Sequence, residues 1–421
     1  MNQSSVVSEE KITYKGALKQ TQYMKLLVAN IISRFGDSID AIAFTWLVYA
    51  ITGEASWSAI IFAMNQIPSV LLQPFAGAFV EGWNKKRVMV VTDIIRGFVV
   101  VGLAVLYVLE LLNPAILVVF TITISTVEAF RIPASTAVIP KIIDMRYYTH
   151  CTSLNSAIST VMQLIGIGAA GMIIGAFGVE TAIIIDGITF FLSAFMILFV
   201  KVKEEKLVKE SLTVKKYFGI LGDGCKYLKK ERIIINFVVL AVFANAFVVP
   251  FNALQTPLVT EVLGQGSEML SVLSIAMMAA MLLGTIIYPV IAEKVSVRIQ
   301  VACGGIAMGA GFGLYVLAGQ FQDKIVILYA LVILASVVIG LGVTIVNSCL
   351  NVQFMKCVDE EYLARAGSIF SAAACAASPV VSFLIGGLTS VISVATMFII
   401  SGALCIALFV LVAVLKIRLE K

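Results

Sequence analysis

"KVKEEKLVKESLTVKKYFGILGDGCKYLKKER", residues 201–232, is the one long polar stretch in an otherwise apolar chain, and its position decides the fold. It lies near the middle of 421 residues, of which 60% are hydrophobic and 13% charged. Soluble domains carry about 25% charged residues, so the composition reads as an integral membrane protein. A membrane-spanning helix needs about 20 mostly apolar residues. Six such runs precede the stretch, at 24–52, 57–80, 87–111, 114–138, 151–176 and 180–201. Six follow it, at 233–260, 268–292, 298–319, 324–352, 365–389 and 391–416. The expected fold is therefore all-α, with twelve transmembrane helices in two six-helix halves. Residues 1–23 form a polar tail, 24–201 the first half, 202–232 a linker, and 233–421 the second half with a short tail.

Basic residues favour the cytoplasmic side, and their distribution orients the chain. Lys25, Lys85, Lys86, Arg87, Lys141, Arg146, the cluster from Lys201 to Arg232, Lys294, Arg298, Lys356, Arg365, Lys416, Arg418 and Lys421 all fall on one side. The other side receives Lys324 alongside Glu54, Glu110, Glu180, Glu261, Glu268 and Asp323. Both termini are expected in the cytoplasm, and a tail containing Lys11, Lys15 and Lys19 fits that side. Within the linker, Val214, Tyr217, Phe218, Leu221 and Leu228 alternate with lysines, the pattern of an amphipathic helix lying on the anionic inner leaflet.

Several function classes drop out. The basic residues sit at membrane edges, so their excess is no nucleic-acid footprint. Seven cysteines show no paired spacing, and His150 is the single histidine; a metal set or a histidine-based triad is not expected, nor is a cofactor. No nucleophile and base converge within the spans, so an enzyme is not expected either.

The first span, "NIISRFGDSIDAIAFTWLVYAIT" (30–52), carries Arg34, Asp37 and Asp40, although a charge at the bilayer centre costs about 3 kcal/mol on insertion scales. At 100° per residue, Asn30, Ser33, Arg34, Asp37 and Asp40 share roughly a third of the helix circumference. The fourth span does the same with Thr121, Ser125, Glu128, Arg131 and Ser135. Arg34 and Arg131 each lie ten residues from a cytoplasmic boundary, about 15 Å deep at 1.5 Å per residue; Asp37 and Glu128 also match in depth. These depths would let Arg34, Asp37, Glu128 and Arg131 meet where the two spans line one cavity. Asp40 is left without a cation at its level. Burial and nearby Asp37 both disfavour a second negative charge there, and a carboxyl held near neutrality can exchange a proton.

The loop after the second span, "GAFVEGWNKKRVMVVTDIIRG" (77–97), resembles the cytoplasmic signature of the major facilitator superfamily through Gly77, Glu81, Lys85, Lys86 and Arg87, followed by Asp93 and Arg96. Glu81 stands where Asp is typical and Gly82 where a basic residue is common. The layout of six spans, basic linker and six spans resembles the same superfamily. Within it, "SRFGDSIDAIAFTWLVYAITG" (33–53), "FRIPASTAVIPKII" (130–143), "LNSAISTVMQLIGIGAAGMIIGAFG" (154–178), "IDGITFFLSA" (185–194) and "RAGSIFSAAACAASPVVSFLIGGL" (365–388) resemble macrolide-efflux-type and related drug or siderophore exporters. The resemblance implies a bacterial inner-membrane protein working as a monomer, exporting an amphiphilic small molecule by proton-coupled antiport. The proton gradient is its energy source. Ile167 stands where the glycine-rich antiporter signature often has Pro. Proton-coupled symport of a small solute is the alternative, with a uniporter or a lipid-handling protein behind it.

In the resembled fold the first and fourth spans both line the central cavity, which implies one buried network of Arg34, Asp37, Glu128 and Arg131. Asp40 or Asp37 is then the expected proton carrier, with Arg131 or Arg34 responding. The resemblance also implies roles for further residues. Glu81, Arg87, Asp93 and Arg96 are expected to clamp the cytoplasmic gate near Gly367, with Asp93 and Arg96 close enough on one helix to interact. Asn30, Asn245, Asn252, Gln255, Phe247, Asn347 and Asn351 are the expected substrate-cavity residues. Gly171 and Gly175 of the fifth span, with Ala276, Ala280 and Gly284 of the eighth, are the expected rocking interface, because small residues let backbones approach closely.

Overall fold

The computed structural model describes residues 14–202, 232–358, 363–415 and 419. The expected amphipathic linker lies almost wholly outside the described residues, as does most of the N-terminal tail. Among the described residues twelve long helices run in chain order: α1 Thr21–Thr52, α2 Ala55–Gly82, α3 Lys85–Val108, α4 Pro114–Ile142, α5 Tyr148–Phe177, α6 Val179–Leu198, α7 Arg232–Ala253, α8 Ser267–Lys294, α9 Val297–Ala318, α10 Ile325–Cys357, α11 Leu363–Leu388 and α12 Val394–Val414. A helix satisfies its own backbone hydrogen bonds, which lipid requires. Eleven of the twelve are long and apolar enough to cross a membrane. The remaining one, α1, carries Lys25, Arg34, Asp37 and Asp40. Side chains such as Phe98, Met172, Ile286 and Val326 stand on the outer surface, more than 60% exposed, as side chains facing lipid do.

Local chemistry sets the boundaries. Gly53 ends α1 with φ 64°, donating its N–H to Tyr49 O at 2.8 Å, a conformation that favours glycine. Asn84 caps α3 by accepting from the Arg87 N–H at 2.8 Å, and Asn113 caps α4 by accepting from the Ile116 N–H at 3.0 Å. Lys86 and Lys25 donate to Leu198 O and Phe199 O at the end of α6, where cations complement the helix dipole. The expected run 233–260 is not one helix. It ends at Ala253 and continues as a short turn at Gln255–Pro257 and a π-turn at Leu258–Val262. Pro257 has no N–H to donate to Ala253 O, so the ladder stops there. Part of the expected tail is also ordered: Tyr14–Leu18 forms a helical turn whose Ala17 is fully buried.

Helices α1–α6 pack chiefly on one another, and α7–α12 likewise. The main contacts across the two groups are α2 against α11 and α5 against α8. Hydrogen bonds across them join Tyr49 to Glu261 (2.9 Å), Ser382 to Ala59 O (2.6 Å), and Ser271 to Ile167 O (2.6 Å) and the Gly171 N–H (3.0 Å). All of these lie toward the end of the bundle where Gly53 sits. The opposite end, with Trp83, carries the basic clusters.

Candidate functional site

A cavity of about 490 Å³ opens between the two groups of helices. One wall is polar: Arg34, Asp37, Asp40 and Thr45 of α1, Asn65 of α2, Arg96 of α3, Glu128 of α4 and Gln163 of α5. The facing wall is soft and largely apolar, with Phe251 and Asn252 of α7, Gln255 beyond it, and Ser274, Met277, Met278 and Met281 of α8. Phe44 and Phe62 complete the apolar surface. Methionine and aromatic side chains adapt to ligands of varied shape.

The charges pair differently from the expected quartet. Arg96 donates from Nη2 to Asp37 Oδ1 at 2.7 Å, and Arg34 lies 3.8 Å from the other Asp37 oxygen. Arg34 is 44% exposed at the cavity mouth. Arg131 does not reach Asp37 or Glu128. Its Nε and Nη2 donate to Asp93 at 2.5 and 3.3 Å, and Ser193 of α6 donates to Asp93 Oδ2 at 2.7 Å. The cause is α3, which packs on both α4 and α6 and brings Asp93 and Arg96 into the bundle.

Asp93 and Arg96 are therefore not a surface clamp. Both are buried, at 0% and 2% exposure, and each pairs with another helix rather than with its neighbour three residues away. Arg87 is exposed at the start of α3. A side chain at Gly367 would meet nothing within 4 Å. The surroundings of Gly77 and the side chain of Glu81 lie outside the described residues, so the expected gate is not assembled among the described ones.

Asp40 lines the cavity within electrostatic reach of Arg96, Asp37 and Glu128, and its Oδ1 has no hydrogen-bond partner among the described residues. Glu128 makes no ion pair there. Behind this wall lies Asp186 of α6, fully buried, with neither carboxylate oxygen bonded among the described residues. The neighbouring Thr189 hydroxyl donates to the Asp186 backbone carbonyl instead, at 2.7 Å. Asp186 is within electrostatic reach of Asp40, Arg96 and Asp37. A methyl group on Gly36 of α1 would stand 2.6 Å from Asp186 Oδ1, so glycine there is what lets the two helices meet. Sequence reasoning misses Asp186, although Asp186, Thr189 and Ser193 form a polar stripe at i, i+3 and i+7, the same signal that α1 and α4 carry.

Of the expected cavity residues, Asn252 and Gln255 line it. Asn30 instead donates to Asn155 of α5 at 3.2 Å, and Asn245 to its own helix at Ala241 O. Phe247 packs against the core, while Asn351 bonds Asn347 O away from the cavity. Asn30 and Asn245 share a helix face with cavity residues but stand about two turns from Asp37 and Asn252, each engaged elsewhere. Gly171 and Gly175 do meet α8, against Ser271 and Glu268. Ala280 and Gly284 do not meet α5; they receive Gly340 and Thr344 of α10. Contact with α5 uses the Ser267, Ser271 and Ile275 face of α8, while its small residues serve the tighter crossing with α10.

The sequence profile described as Major Facilitator Superfamily matches residues 26–382, with a second match over 250–421. The uncharacterized MFS-type transporter YkuC of Bacillus subtilis is 23% identical over 66% of this chain and 66% of its own. The multidrug efflux pump Tap of Mycolicibacterium fortuitum is 21% identical over 69% of this chain and 72% of its own. This chain spans less than two thirds of the first curated relatives it matches: 66% of YkuC and 57% or less of the next four. The crystal structure of the nucleoside transporter NupG superposes with a TM-score of 0.75 over 94% of this chain and 99% of that one, at 11% identity, a likeness of fold.

Proposed function

The chain belongs to the major facilitator superfamily, and from that premise we propose that it is a secondary transporter that exports a small amphiphilic organic molecule in exchange for protons. The observation that carries this reading is the cavity itself. An acidic wall on α1, α3 and α4 faces a methionine and aromatic wall on α7 and α8. Three carboxyls, Asp37, Asp40 and Glu128, stand against two guanidiniums, Arg34 and Arg96. The surplus acid is balanced either by a proton or by a cationic group on the substrate, and competition between the two is the coupling.

The hydrogen bonds between the halves lie at the Gly53 end. With the basic Trp83 end in the cytoplasm, this is an inward-facing state, sealed outside. Substrate enters past Arg34, its apolar body lies against Met277, Met278 and Met281, and its charge displaces a proton from Asp40 or Asp37. Alternating access then opens the α5–α8 and α2–α11 contacts and closes the Trp83 end. The multidrug activity in Tap's name is in keeping with the soft wall. A bacterial cell membrane, cytoplasmic termini and a monomer complete the proposal.

The test is proton release from purified protein in weakly buffered detergent on adding tetraphenylphosphonium. Native protein is expected to release protons, and Asp40→Asn or Asp37→Asn to bind without release. Binding with no release from native protein near neutral pH would replace antiport with uniport or symport.

A further inference from the structure

We propose that Asp186 is the alternate partner of Arg96, so that the guanidinium moves between Asp37 on α1 and Asp186 on α6 during transport. This rests on the reading above only in taking Asp37 as a group whose charge changes in the cycle.

Arg96 is fully buried yet uses one nitrogen: Nη2 holds Asp37, while Nε and Nη1 have no acceptor among the described residues. Asp186 is the complement, a buried carboxylate beside the Thr189 hydroxyl with no cationic donor on either oxygen among the described residues. Unpaired buried charges are costly, and breaking one partner from a buried pair is strongly destabilising. The two groups are within electrostatic reach. The Arg96 guanidinium stacks on the Phe190 ring with its carbon 4.0 Å from the centroid. Phe190 is one helical turn from Asp186, on the same face of α6. The ring is thus a bearing on which the guanidinium slides from one helix to the other without losing its cation–π contact.

Of the acids facing Arg96, Asp93 is held by Arg131 and Ser193, and Asp40 and Glu128 face the cavity, where substrate reaches them. Asp186 is the one sealed behind the wall. When a proton or a bound cation neutralises Asp37, Arg96 loses its reason to stay and moves to Asp186. That draws α3 toward α6 and frees α1, which lines the cavity. Asp186 is a positioning residue: it touches neither substrate nor cavity and acts through Arg96.

The decisive experiment is a structure of the full-length Asp37→Asn variant. Arg96 Nε or Nη1 within hydrogen-bond distance of Asp186 is the expected result; Arg96 still against position 37 or against Asp40, with Asp186 bare, overturns the proposal. A second measurement follows the inward- and outward-facing populations by spin-label distances across the Trp83 end. Asp37→Asn is expected to shift their ratio about tenfold, within the usual range of coupling. Adding Asp186→Asn should return it to the native value, and Asp186→Glu should preserve the shift. Additive effects of the two substitutions would sink the idea. If Asp186→Asn fails to fold, the Asp37→Asn structure decides alone. Arg96 reaching Asp186 in a protein that releases no protons would leave this proposal standing and remove the antiport reading.

Discussion

Arg96 of α3 holds Asp37 of α1 at 2.7 Å across 59 residues of sequence, and that bond forms the floor of the acidic wall. Its loss would leave Asp37 and Asp186 without their nearest buried cation. Arg96→Gln is therefore expected to lower the apparent unfolding midpoint in detergent and to abolish transport, with Arg96→Lys recovering part of the stability. Lysine keeps the charge but not the planar group that stacks on Phe190. Thermal scans of the three proteins check this; equal midpoints would contradict it.

The Asp93–Arg131 pair is the second buried bond, and it faces α6 rather than the cavity. Asp93→Ala or Arg131→Ala alone is expected to cost about 3–5 kcal/mol, because each leaves an unpaired buried charge. The double substitution is expected to cost less than the sum of the two. Ser193→Ala, which removes a neutral donor to a charged acceptor, is expected to cost about 1.5–3 kcal/mol. Substrate binding should survive in Ser193→Ala, since Ser193 does not reach the cavity; a double-mutant cycle with a binding assay separates the two effects.

At the Gly53 end, Ser271 bonds both Ile167 O and the Gly171 N–H. Gly171→Val would drive a side chain into Ser271 and hold the seal apart, while Ser271→Ala removes its hydrogen bonds. Both are expected to raise the labelling of a cysteine placed in the cavity by a membrane-impermeant thiol reagent added from outside, valine more than alanine. Gly284→Val, which strikes Thr344 within one half, is expected to reduce stability without that change in labelling.

The twelve helices are legible in the sequence because hydropathy runs and caps are local properties, and the polar stripes of α1 and α4 are legible by helical period. Which arginine meets which aspartate is not. Depth matching groups Arg131 with Arg34, Asp37 and Glu128 in one network, but α3 stands among these helices and offers Asp37 and Arg131 nearer partners in Arg96 and Asp93. Asp93 and Arg96 follow a basic loop, which suggests the surface; about two to three turns of helix past Lys85 carry them inside. The break at Pro257 is visible in sequence but outweighed by the apolar run around it. The faces of α8 are not separable, since Ser271 and Ala280 are both small and only packing shows which helix each meets.

In the loop between α4 and α5, Asp144 accepts from the Arg146 backbone N–H at 3.1 Å and from its guanidinium at 2.6 and 2.9 Å. Those hydrogen bonds hold its carboxyl below the usual carboxylate range. A depressed folded pKa means the contribution is present above the unfolded value and is lost as pH falls through the folded one. Carboxyl-labelled NMR should show Asp144 titrating below free aspartate in native protein and moving part of the way back in Arg146→Ala, which removes the guanidinium but keeps the backbone N–H.

The central claim is that substrate and proton compete for the acidic wall, and gradient-driven transport in proteoliposomes tests it most directly. In vesicles with the Trp83 end facing out and an acidic lumen, native protein is expected to accumulate a fluorescent amphiphilic cation. Asp40→Asn is expected to lose that accumulation while retaining exchange of labelled for unlabelled substrate at equal pH. Accumulation by native protein that is indifferent to the pH gradient would contradict the account.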